Sequence, residues 1–126
     1  MRRMMNWVII AALLSGLAII GAPPAAFATG QDGTWSVLII TEKGDCDRGY
    51  RYDVKIANGQ VSYQGEAPVD MSGTVAPNGA VKVSIRLGNK GADGSGRLSG
   101  QTGAGTWHSV GSNASCAGRW EAERRA

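Results

Sequence analysis

Glycine sets the terms on which this chain can fold. It fills 19 of 126 positions, and only Gly16 and Gly21 fall in the first 28 residues, leaving 17 for the last 98. Glycine in the middle of a helix or strand weakens it, while glycine between elements turns the chain. Short elements joined by tight turns are therefore expected. The runs between glycines alternate with period two, the mark of strands with one buried face. Tyr50, Tyr52, Val54 and Ile56 share one face, with Arg51, Asp53 and Lys55 opposite. Asn58-Gly59 follows, the strongest short hairpin signal, and Val61 and Tyr63 return on the next strand. Pro77-Asn78-Gly79 makes a second turn. Val81, Val83, Ile85 and Leu87 then form another apolar face, opposed by Lys82, Ser84 and Arg86. Trp35 to Thr41 reads as a more buried strand, because Val37 to Ile40 is apolar on both faces. Weaker strands are expected over 71–75, 97–99, 106–110 and 117–122, and no segment shows a 3.6-residue apolar period. The fold class is all-β: an antiparallel meander of about eight short strands. A closed barrel is favoured over a sandwich, because closure removes both sheet edges.

Residues 1–28 follow a different logic. Arg2 and Arg3 precede an apolar run from Trp7 to Gly21, Pro23 and Pro24 break any helix, and Ala26-Phe27-Ala28 supplies small residues. That order is the secretory signal pattern. The run is shorter than the roughly 20 apolar residues of a membrane-spanning helix. It reads as a cleaved signal with the cut between Ala28 and Thr29, leaving a single β domain over 29–126 and no permanent membrane anchor. The destination is the periplasm or the exterior.

Loss of the signal removes Arg2 and Arg3, and the remaining 11 basic and 10 acidic residues leave a net charge of +1. Nucleic-acid binders cluster Lys and Arg on one face; here the charges are mixed and scattered. Cys46 and Cys116 are the only cysteines, and in an exported chain they are expected to pair. The bridge would join the end of the first strand to the start of the last. Closing so long a loop stabilises by about 4 kcal/mol on the chain-entropy account.

A local motif recurs on the outer strands: Gly33-Thr34-Trp35, Gly105-Thr106-Trp107 and Gly118-Arg119-Trp120. Glycine and tryptophan two residues apart share a strand face, and the missing side chain leaves room for an indole. Trp35, Trp107 and Trp120 are therefore assigned a structural role at the closure of the barrel. The Asp32 to Trp35 start and the Cys116 to Trp120 end resemble those of a group of small exported bacterial proteins of unknown function. Labels of haem utilisation or adhesion are attached to some of them. The opening Gly33-x-Trp35, the meander and the late tryptophans more loosely resemble lipocalin and avidin ligand barrels. Neither resemblance implies a named ligand residue.

Groups for chemistry are sparse. His108 is the only histidine, with no nucleophile-elbow motif near any serine, and is expected on an exposed strand face. Glu42, Asp45 and Asp47 gather near Cys46, without the spacing of a calcium loop. The glycines from Gly88 to Gly105 lack the lysine-hydroxyl pair of a phosphate loop and read as turns and strand bends. Asn113-Ala114-Ser115 matches a glycosylation acceptor, but Asn113 also suits a hairpin tip. Axial haem ligands would have to come from Tyr50, Tyr52, Tyr63, His108 or Met71, and no spacing among them selects haem. No cofactor, metal or catalytic residue is assigned. The reading is an exported, non-enzymatic binding or interaction module whose partner is an unidentified protein or envelope component. A barrel for a small molecule, an apolar ligand or haem, is the first alternative, and an enzyme is the second. Large rings at the inward positions Trp35, Tyr52, Tyr63, Trp107 and Trp120 predict a mostly filled interior without a tight small-molecule site.

The exported chain is expected to begin at Thr29 or within a few residues of it. N-terminal sequencing of protein recovered outside the cytoplasm checks this, and an intact Met1 chain in the membrane fraction contradicts it.

Overall fold

Each strand pairs with the next in the chain, and the last pairs back with the first. A computed structural model describes residues 30–112 and 114–126. The signal segment, its cleavage point at Ala28 and Thr29, and Asn113 lie outside the described residues. The strands are β1 (Gly33–Lys43), β2 (Gly49–Ala57), β3 (Gln60–Tyr63), β4 (Asp70–Val75), β5 (Ala80–Leu87), β6 (Lys90–Ser99), β7 (Thr102–Gly111) and β8 (Ala117–Arg124). All neighbours are antiparallel, and the order β1 to β8 closes into a barrel. The closing ladder runs from Trp35 opposite Arg124 to Lys43 opposite Ala117, with an irregularity between Thr41 and Lys43. The Asn58-Gly59 turn has positive φ at both residues, 53° and 77°, as a two-residue hairpin of this kind demands.

Antiparallel order sends alternate connections to opposite ends. The turns at 58–59, 76–79 and 100–101 and both described chain ends lie at one end, the floor. The connections at 44–48, 64–69, 88–89 and 112–116 lie at the other, the mouth. Inward residues near the floor are well buried: Trp35 is 1% exposed, and Ile56, Val61, Val75, Val81 and Leu98 pack around it. Outward positions carry charge, with Arg51, Asp53, Lys55, Lys82 and Arg86 all exposed. This polarity is the reverse of a lipid-embedded barrel, whose apolar band faces out. On β1, Leu38 and Ile40 face outward and are half-buried, flanked across the sheet by Arg51, Arg119 and Glu121.

The glycine-rich stretch departs from the expectation of turns and bends. Gly88 and Gly100 do occupy turns with positive φ, but Gly91, Gly94, Gly96, Gly103 and Gly105 lie within β6 and β7, which are paired along their whole length. The reason is volume. Antiparallel pairing of two Gly-x-Trp strands sets Gly105 opposite Trp120 and Trp107 opposite Gly118. The Trp120 indole lies across that glycine surface and donates its Nε1–H to the Ser95 carbonyl on β6 at 3.2 Å. A Cβ on Gly96 or Gly105 would meet the ring. In the other direction, the Trp107 indole reaches past Gly118 and donates to the Ile40 carbonyl on β1 at 3.1 Å. Each indole thus covers a glycine on the adjacent strand and bonds to the strand beyond it.

Adding a methyl group at Gly105 or Gly118 is therefore expected to destabilise the barrel by about 1–3 kcal/mol each, through overpacking against the Ser95 or Ile40 carbonyl. Gly30→Ala, where a Cβ meets nothing within 4 Å, should stay within about 0.5 kcal/mol of the parent. Urea unfolding curves of the three variants measure the difference.

Candidate functional site

Burial along β5 falls in one direction. Val81 is buried, Val83 and Ile85 are half-buried, and Leu87, on the same face, is 47% exposed, the highest value for a large apolar side chain among the described residues. β2 shows the same gradient, from Val54 and Ile56, buried, to Tyr52 and Tyr50, half-buried. The side chains that lose cover are those nearest the mouth. The barrel is packed at its floor and open above it.

Between floor and mouth lies a cavity of about 310 Å³. The expectation of a mostly filled interior is therefore overturned, although the inward residues behind it were correctly identified. The physical reason lies in how the rings are laid. Trp107 and Trp120 lie along the wall, bonded to neighbouring strands. Trp35 stays at the floor, where its Nε1–H donates to the Gln31 carbonyl at 2.8 Å. Neighbouring wall positions are small: Gly94, Ala92 and Ala122. The three tryptophans hold structural hydrogen bonds and also form part of the cavity lining.

The lining is mainly aliphatic and aromatic. Its polar members cluster toward the mouth. Tyr50 and Tyr52 stand with ring centroids 6.2 Å apart, and Tyr63 meets Tyr52 edge-on at 5.7 Å. The Tyr63 hydroxyl accepts a hydrogen bond from the Ala67 N–H at 3.2 Å, which ties the 64–69 connection to the rim. Burial pushes the Tyr52 phenol above its ordinary range, and the neighbouring phenols of Tyr50 and Tyr63 act in the same direction. Lys90 is the single charged side chain in the lining.

The Cys46–Cys116 bridge spans the mouth connections on either side of the β1–β8 seam, with a Cα separation of 6.2 Å, and Cys46 reaches the cavity wall. Gly44, at φ 91°, turns the chain against Ser115 and Cys116 where a Cβ would not fit. A disulfide fits an oxidising, exported location.

The remaining sequence candidates are not brought into the cavity. His108 is exposed on the outer face, opposite Asp93. The Ser84 hydroxyl donates to the Asp93 carboxylate at 2.8 Å, and Arg86 pairs with the same oxygen at 3.0 Å, so this serine is not aligned on the imidazole. Glu42 pairs with Arg119 at 2.9 Å, and among the described residues no group of three His, Cys, Asp or Glu could hold a metal ion. Of the haem-ligand candidates, Tyr50, Tyr52 and Met71 line the cavity near the mouth, and Tyr63 and His108 do not. Lys90 and the reciprocal Gly/Trp pairs went unread in the sequence. The second was legible there, since two Gly-x-Trp segments on consecutive antiparallel strands can pair glycine with tryptophan. No protein-family model, curated protein or solved structure matches this chain.

The raised Tyr52 value carries a pH signature. The native state holds this proton more tightly than the unfolded chain does, so the associated stability is present below the unfolded tyrosine value of about 10 and is lost as pH rises through the folded value. The denaturation midpoint is expected to fall above about pH 10, and Tyr52→Phe should flatten that fall. Urea midpoints from pH 8 to 11.5 measure it.

Proposed function

We propose that this protein is an exported, non-enzymatic binding protein whose barrel takes one small apolar ligand. The observation that carries this reading is the cavity of about 310 Å³ beneath an open mouth. Small-molecule sites begin at about 300 Å³ and are mostly apolar with a few polar groups, and eight-stranded barrels are of the size that holds one small ligand. A dry apolar cavity of about 150 Å³ is enough for benzene, so twice that suits two fused rings or a medium-length chain.

Support for binding rather than catalysis comes from the lining chemistry. Its titratable side chains are Tyr50, Tyr52 and Lys90, and among the described residues no Asp or Glu joins them in the lining to form an acid–base pair. Export is supported by the charged, apolar and small-residue order of residues 1–28 together with the disulfide. The reading places the protein in the periplasm or outside the cell, carrying or sequestering a poorly soluble molecule.

Naphthalene, a neutral two-ring probe, should bind the oxidised protein with one saturable site and change the emission of the lining tryptophans. Ala92→Phe, which places a ring in the void opposite Ile85 and Ser109, should weaken binding at least tenfold while leaving the far-ultraviolet circular dichroism of the barrel intact. Non-saturable binding, or equal binding by the filled variant, contradicts the proposal.

A further inference from the structure

Charge in the cavity is confined to one place. Lys90 opens β6 at the mouth, opposite Leu87 on β5 and Gly111 on β7, and it faces the same way as Ala92, Gly94 and Leu98. No other lining side chain is formally charged. The ion pairs among the described residues are Arg86–Asp93, Arg119–Glu42, Arg119–Glu121 and Arg125–Glu123, and none of them takes Lys90. The other polar groups on the rim side of the lining are the phenols of Tyr50 and Tyr52 and the Ser109 hydroxyl, which is engaged with the Cys116 backbone. Below this level the walls are Val54, Val83, Trp107 and Trp120, then the packed floor.

The cavity is therefore amphipathic along its axis, with a cation and hydroxyl donors at the top and hydrocarbon beneath. Lys90 is exposed at the rim, where a neutral guest forgoes the one charge contact that the lining offers. A cationic guest would place like charges together. We infer that the ligand is a single-chain anionic amphiphile, its carboxylate at the mouth against Lys90 and its chain directed at the floor. The inference rests on the small-ligand reading above and names the ligand class. Length follows from volume: water occupies about 30 Å³ in the liquid and a methylene about the same, so about 310 Å³ holds a chain of roughly ten carbons. Affinity should rise about fourfold per methylene until the chain reaches the floor and then level off. The head contribution, a charge-assisted hydrogen bond at a partly open site, should be about tenfold and should shrink with added salt.

Calorimetric titration of the oxidised protein with decanoate, 1-decanol and decylammonium, each below its micellar concentration, tests the inference. Decanoate is expected to bind about tenfold more tightly than 1-decanol, with decylammonium weakest, and hexanoate to decanoate should show the rise with length. Lys90→Gln should bring decanoate down to the affinity of 1-decanol without changing 1-decanol itself, and Lys90→Arg should restore the preference. Equal binding of all three probes, or a decanoate preference that survives in Lys90→Gln, overturns the anionic assignment while leaving the apolar-ligand reading standing. Failure of all three, together with naphthalene, overturns both.

Discussion

Everything in this barrel depends on the pairing of β1 with β8. The two strands come from opposite ends of the described chain, so their pairing closes a loop of nearly the whole domain, an entropic cost that grows slowly with length but must be met before any other closing contact forms. The seam is held at three levels. At the floor, the Thr34 N–H donates to the Ala126 carbonyl and the Arg125 N–H donates to the Thr34 carbonyl, at 3.0 and 2.7 Å. In the middle, Trp107 reaches past β8 to the Ile40 carbonyl on β1. At the mouth, the disulfide joins the connections that flank it. Covalent closure there constrains the unfolded chain most, because the bridged residues lie 70 apart in sequence.

The same seam creates the void. A tryptophan that stood across the lumen would fill it; one that must span a neighbouring strand to bond the next has to lie flat. The glycines of β6, β7 and β8 make that posture available, and they subtract their own side-chain volume from the interior. The large rings are thus used on the wall. What remains for the lumen, below the rim phenols and Lys90, is mainly valine, isoleucine, methionine and alanine, and these leave the void of about 310 Å³. An apolar void forgoes dispersion contacts, and its persistence near the mouth follows from concentrating the packed layer at the floor, where Trp35 is sealed by its bond to Gln31.

Much of this architecture was legible in the sequence. The alternation of Tyr50 to Ile56 and of Val81 to Leu87 placed two strands and their inward faces, Asn58-Gly59 placed a hairpin, and the Cys46 and Cys116 positions implied adjacent first and last strands. These signals are local, carried by period and turn chemistry. β6 was read only as a short strand at its end, because a strand of glycines has no apolar period; its pairing is imposed by Trp120 from another strand. The cavity failed for a related reason. Counting inward rings predicts how much volume is present but says nothing about its direction, which hydrogen bonds to Ser95 and Ile40 decide. Lys90 likewise looks like any strand-end lysine until the ladder shows it facing inward.

Access to the void follows from how unevenly the ladders are built. β1–β8 is bridged by the disulfide, and β6–β7 is paired from Lys90 with Gly111 to Ser99 with Thr102. β3 has only four residues, and its ladder with β4 joins Gln60 to Thr74 and Val61 to Gly73. Above Val61 the wall between these strands is made by Tyr63, the 64–69 connection and Met71, not by backbone hydrogen bonds. Local opening draws on the regions with the fewest such bonds and the least buried apolar contact. The β3–β4 side of the mouth is that region, and it stands beside Tyr52 and Val69, both in the cavity lining. Separating the upper ends of β3 and β4 would thus break the fewest backbone bonds of any way to widen the mouth, while the disulfide would hold the β1–β8 seam and the register of the barrel.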